Sequence, residues 1–162
     1  MSSTNVLLKV QNLKVEFPVK SSLQWPWSKD TTLIAVNEIS FEVHQGKTLG
    51  IVGESGCGKS SLAKAMVGLV PISSGSVLWK GQDLHRLNLK ELRAKRKEMQ
   101  MIFQDPLASL NPRMTIGAII AEPLRTLYPK TTSKKAKILV QETMLKVGLL
   151  PNMINRYPHE FS

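Results

Sequence analysis

Eight residues, Gly53–Ser60, read GESGCGKS and fit the spacing G-x-x-x-x-G-K-S without a gap. Each residue type has a chemical task there. Gly53, Gly56 and Gly58 allow backbone angles that a side chain would forbid, so that successive N–H groups can turn inward around an anion. Lys59 can reach the terminal phosphates of a nucleotide as a point charge, and the Ser60 hydroxyl can ligate Mg²⁺. Cys57 fills a position where the backbone does the binding. A redox role for the Cys57 thiol is the alternative, because helix N-termini favour thiolates. The chemistry this pattern points to is the grip of a phosphate chain.

Such a loop needs a buried strand to enter it and a helix to leave it. Thr48–Val52 (TLGIV) is a short apolar run that reads as a buried parallel strand. After the glycines, Leu62, Met66 and Leu69 recur at helical spacing, and the first turn of that helix would aim its free N–H groups at the same phosphates.

Around this centre the chain alternates in character. VLLKV, LKVEF and ISFEV read as strands, with Ile39, Phe41 and Val43 on one side of the last. The polar stretch Lys20–Thr32, with Trp25 and Trp27, reads as a long hairpin connection packing on its own sheet. GSVLWKGQDL predicts two short strands around a Lys80-Gly81 turn. Asn88 with Glu91 three residues later predicts a capped helix start, and MQMIFQ (Met99–Gln104) another buried strand. From Asp105 onward the pattern is helical. Thr115 caps one segment and Ser133 a second, with Ala136, Val140, Met144 and Val147 on one face and Gly148 as its stop. The expected division is 1–104 for the β-subdomain and phosphate-binding core, and 105–162 for a helical part.

Composition narrows the partners. The 22 Lys+Arg outweigh 12 Asp+Glu, for a net +10, which suits nucleotide phosphates, nucleic acid or a membrane surface. Most of the excess lies in KELRAKRKE and KTTSKKAK, where a solvated face is the plain reading, and no aromatics interleave as a single-strand groove would need. No nucleic acid is therefore expected. One cysteine and three scattered histidines exclude a disulfide and argue against a zinc site. Without a signal-like start or an apolar run of spanning length, a cytosolic location is expected.

Three separated segments carry a family resemblance. The stretch from Gly53 to Leu84 resembles the nucleotide-binding segment of ABC-transporter ATP-binding subunits. MIFQDPLASLNPRMTIG resembles the region around the sensing glutamine in subunits that energise bacterial oligopeptide and dipeptide importers. VGLLPNMINRYPHEFS is similar to the approach to that family's signature, which opens at Ser162. The resemblance implies an α/β fold of the phosphate-loop ATPase type, with an N-terminal antiparallel β-subdomain and an incomplete helical subdomain. It implies ATP and Mg²⁺ as cofactors, with Phe17 stacking on adenine (or else simply buried in its strand). Gly53, Ser55, Gly56, Cys57, Gly58, Lys59, Ser60 and Ser61 would hold the phosphates, and Gln104 with Ser60 the metal.

The implied partners are membrane-spanning permease subunits and a second ATP-binding subunit, at the cytoplasmic face of the bacterial inner membrane. The family's complete signature, its acidic strand end and its switch histidine have no counterpart in these 162 residues, and His159 is not that histidine. Binding without turnover is the expectation. A non-catalytic module on the transporter, or a soluble ATPase of this type acting on ribosomes or DNA, are the alternatives. Peptide import is the implied function, while the exact cargo, a dipeptide, a longer peptide or another solute such as nickel or a glycoside, is set by other subunits.

Overall fold

Val10, Leu13 and Val15 are the most deeply buried residues of the first strand, and their spacing sets its shape. Strict alternation would put residues 10 and 13 on opposite faces. A bulge reconciles them. Asn12 takes φ 44°, a left-handed angle that asparagine tolerates, and the register shifts between Val10 and Leu13. Ser40 locks the bulge: its Oγ accepts the Asn12 N–H at 2.8 Å and donates to Asn12 Oδ1 at 3.0 Å.

The computed structural model describes residues 5–19, 31–106 and 108–161, in two compact units, Met1–Met99 and Gln100–Ser162. In the first, β1 (Val6–Val19) is one bulged strand rather than two short ones. It pairs antiparallel with β2 (Thr31–His44) on one side and β3 (Ser74–Trp79) on the other. β4 (Gln82–Asp83) completes the order β2-β1-β3-β4. Lys80 and Gly81 turn between β3 and β4 with φ 49° and 81°, the paired positive angles of a tight hairpin. The connection expected over Lys20–Thr32, with Trp25 and Trp27, lies outside the described residues apart from Thr31 and Thr32, which open β2.

Helix α1 (Lys59–Met66) buries Leu62 and Ala65 against this sheet, in a core with Val10, Leu13, Val15, Val36 and Val77. Leu69, expected on the same helical face, follows the end of α1 and is exposed. Helix α2 (Leu89–Lys95) starts with the expected capping box: Asn88 Oδ1 accepts from the Lys90 and Glu91 N–H groups, and Glu91 accepts from the Asn88 N–H. The chain beyond α2 is tied back to the sheet by Glu98. Its carboxylate accepts from Trp79 Nε1 at 3.1 Å and from Lys80 Nζ at 2.5 Å.

Two expectations are corrected. Thr48–Val52 is neither a strand nor buried: Leu49 and Ile51 are exposed and Val52 is 96% exposed. Met99–Gln104 is also not a strand, and Ile102 is 91% exposed. The physical reason is shared. Extended backbone becomes a strand only when it pairs with a neighbouring strand, and among the described residues neither segment joins the sheet.

The second unit is a helical pair. Thr115 caps α3 (Ile116–Leu127), its Oγ1 accepting the Ala118 N–H. Helix α4 (Ser133–Lys146) is capped by Thr132, one residue before the expected Ser133. Ala136, Val140 and Met144 are buried, while Val147 lies past the helix end and is exposed. Gly148 stops the helix as expected. At φ 80° it lets its own N–H reach Leu145 O and the Leu149 N–H reach Met144 O, the paired bonds of a Schellman end. Ile154 and Phe161 pack on this small core, and the Ile116 N–H donates to Arg156 O at 2.8 Å.

Leu13 is fully buried at the centre of the first core, so Leu13→Ala is expected to cost about 2–5 kcal/mol, with Val19→Ala near neutral. Chemical denaturation followed by circular dichroism checks the difference. The Lys80 ammonium, with the Trp79 indole, holds the Glu98 carboxyl below its ordinary range. A carboxyl lowered on folding stabilises above its unfolded pKa, and that contribution is lost as pH falls through the lowered folded value. Glu98→Gln should therefore shrink the gap in melting temperature between neutral and acid pH, modestly, since the pair is exposed.

Candidate phosphate-binding loop

The loop over Gly53–Gly58 is built from angles that its glycines supply. Gly56 and Gly58 take φ 81° and 95°. A side chain at Gly53 would meet Cys57 Sγ, 2.7 Å from where its Cβ would lie. Gly58 is doubly constrained: besides its φ, a Cβ there would come within 1.9 Å of the Ala35 carbonyl oxygen. The main chain of β2 thus lies directly against the loop at the point where α1 begins.

Helix α1 leaves its first amides open. Its earliest main-chain bond runs from the Leu62 N–H to Gly58 O at 2.9 Å, and no side chain caps the start. The N–H groups of Lys59, Ser60 and Ser61 therefore have no main-chain acceptor among the described residues, and the positive end of the helix dipole points the same way. Lys59 folds back over the curl. Its Nζ donates to Gly53 O at 2.8 Å and to Glu54 O at 2.6 Å, and lies 3.5 Å from Cys57 Sγ. The Lys59 ammonium thus lies over two loop carbonyls, beside three N–H groups at the start of the helix, an arrangement that suits a multiply charged oxyanion.

The structure brings the residues from Gly53 to Ser61 together on one loop and one helix turn. Ser55 and Ser60 are exposed, and so is Cys57, as a free thiol. Phe17 sits on β1 opposite Leu33, partly buried against the core of the first unit. It is absent from the walls of the open cavity of about 580 Å³ beside the loop, which Ile34, Val36, Ile39, Leu49 and Ile51 help to form. Gln104 belongs to the second unit and is exposed. The turn after it is held by Asp105, whose Oδ1 accepts the Ala108 N–H and whose carbonyl accepts from Ser109 Oγ. His159 stacks on Tyr157 with ring centroids 5.8 Å apart. Sequence reasoning missed Ala35. No signal could have found it, since its contribution is a main-chain oxygen that any residue would supply.

Gly58→Ala should destabilise the first unit more than Gly46→Ala. Both positions have positive φ, which costs about 1–2 kcal/mol for a residue with a side chain, but Gly46 faces open space whereas Gly58 meets the Ala35 carbonyl. Thermal melts of the two variants read the difference.

The chain resembles known proteins along nearly its whole length. A family model described as ABC transporter matches residues 36–162. The oligopeptide transport ATP-binding protein OppF of Escherichia coli (strain K12) is 57% identical over 157 residues, which is 97% of this chain and 47% of that protein. OppF of Haemophilus influenzae is 54% identical over 161 residues, 99% of this chain and 48% of its own length. The chain thus spans about half the length of the curated relatives it matches. Among solved structures, a dimeric ATP-binding cassette in a post-hydrolysis state bound to ADP and Pi superimposes with a TM-score of 0.76 at 19% identity. That match covers 96% of this chain and 63% of the other and shows the α/β cassette fold. On the family match across residues 36–162, the chain belongs to the ABC transporter family.

Proposed function

We propose that this chain is the nucleotide-binding portion of an ATP-binding subunit that energises oligopeptide import. The observation that carries the reading is the receptor formed by the Lys59 ammonium and the open amides of Lys59, Ser60 and Ser61. Gly53, Ser55, Gly56, Cys57 and Gly58 shape the curl, and Lys59 would exchange its two loop carbonyls for β- and γ-phosphate oxygens. Phe17 is the residue that the family resemblance assigns to the adenine, against the plain reading as a residue packed on the core of its own sheet. The names of the relatives, oligopeptide transport ATP-binding proteins, support the cargo class.

Magnesium fits the donors present. Ser60 offers an exposed hydroxyl in the first turn of α1 with no hydrogen-bond partner among the described residues, and a hard cation takes oxygen ligands of this kind. Gln104, in the second unit, is likewise uncommitted and is the residue that the family resemblance assigns to a metal. Bound Mg²⁺ would neutralise charge on the phosphate oxygens.

The functional division at residues 104 and 105 into a nucleotide-binding core and a helical part is proposed on the family resemblance, a little beyond the boundary of the compact units at Met99 and Gln100, with the helical part docking on permease subunits. A second ATP-binding subunit, as in the dimeric cassette of similar fold, would complete the machine at the cytoplasmic face of the membrane. No helix among the described residues is long and apolar enough to cross a membrane, which accords with a peripheral place.

A polypeptide of these 162 residues should bind Mg·ATP and not turn it over. Phosphoryl transfer needs a carboxylate to orient the attacking water, and no apolar strand ending in paired acids occurs in this sequence. Titration with a fluorescent ATP analogue tests the binding. Lys59→Ala should weaken it about tenfold or more, the worth of a charged hydrogen-bonding partner, and equal affinity in both proteins would refute the site. In a phosphate-release assay, turnover that vanishes in Lys59→Ala would refute the claim of binding without hydrolysis.

A further inference from the structure

Helix α4 carries two unlike faces. Ala136, Val140 and Met144, four residues apart, are buried in the second unit. About half a turn away around the helix lie Ile138 and Leu145, seven residues apart and so stacked on one line, 48% and 60% exposed. Lys134 stands one turn before Ile138 on that same line. Lys135 flanks it on one side and Lys137 on the other. Lys130 precedes the helix and Lys146 ends it, all five lysines exposed. None of them has an ion-pair partner among the described residues. Glu142 is the one acidic residue of α4.

A solvated face would spend its exposed positions on polar side chains. This one sets two aliphatic groups, Ile138 and Leu145, beside long cationic ones clustered in its first turns, with Gln141 and Glu142 between the two, over a helix about 20 Å long. That pattern suits the boundary of a bilayer, where aliphatic side chains enter the acyl edge while lysines reach up to phosphates. Charge selects the lipid: unpaired lysines with a single carboxylate complement an anionic leaflet. We propose that the outer face of α4 docks on an anionic phospholipid surface through Lys134, Lys135, Lys137, Ile138 and Leu145. The contact is made by the second unit and is independent of nucleotide binding.

Co-sedimentation of the 162-residue chain with vesicles tests it, comparing phosphatidylcholine alone with phosphatidylcholine containing about a third phosphatidylglycerol. The chain should bind the anionic vesicles and not the neutral ones. Lys134→Gln/Lys135→Gln/Lys137→Gln should weaken that binding by about tenfold to a hundredfold, from the worth of each lysine near a charged surface. Lys90→Gln/Arg93→Gln/Lys95→Gln on α2 removes the same charge and should change it by less than about twofold. Ile138→Ser/Leu145→Ser, surface changes that leave the α4 core face intact, should weaken it severalfold with an unaltered helical circular dichroism signal. Equal losses from the two charge-removing triples would overturn the proposal in favour of bulk charge attraction. So would an unaffected Ile138→Ser/Leu145→Ser chain, or retention on an acidic polypeptide with no binding to vesicles.

Discussion

The phosphate loop is held from one side. Leu62 and Ala65 of α1 press into the core formed by β1, β2 and β3, and the Ala35 carbonyl closes on Gly58. The segment that enters the loop, Thr48–Val52, contributes no ladder hydrogen bonds. Everything that could grip an anion therefore depends on how well one eight-residue helix is anchored. An isolated helix of that length is unstable in water, so the apolar contacts beneath it are what make its open amides available at a fixed place. Burial on one face and unsatisfied polarity at one end are coupled in a single short element.

What was legible in the sequence was local. The glycine spacing of the loop, the Asn88 capping box, the Lys80-Gly81 turn and the Gly148 helix stop each depend on residues within a few positions of one another. Backbone angles and end-group hydrogen bonds follow from residue type at that range. The one-residue disagreement between Ser133 and Thr132 is of the same kind, since either hydroxyl can cap and the chain uses the earlier.

What was not legible depended on partners far along the chain. Thr48–Val52 and Met99–Gln104 have the composition of core strands, and composition states only that a segment would prefer burial between neighbours. Whether neighbours exist is a property of the rest of the fold. The bulge at Asn12 escaped notice for a related reason. The sequence reads as two short runs of β-formers, whereas the chain keeps one strand and absorbs the change of face in a single residue that Ser40 secures. For the candidate site, the glycine turn was readable from its spacing; Phe17 and Gln104 rested on resemblance, and the role of Ala35 carried no signature at all.

That last contact divides tolerance to change unevenly between its two partners. At position 35 only the main chain is used, so any residue content in a strand serves as well as alanine, and drift there leaves the loop untouched. At position 58 the absence of a side chain is itself the requirement. Two residues in intimate contact are thus under opposite constraint, one nearly silent and the other fixed, and neither would betray the other through paired substitutions.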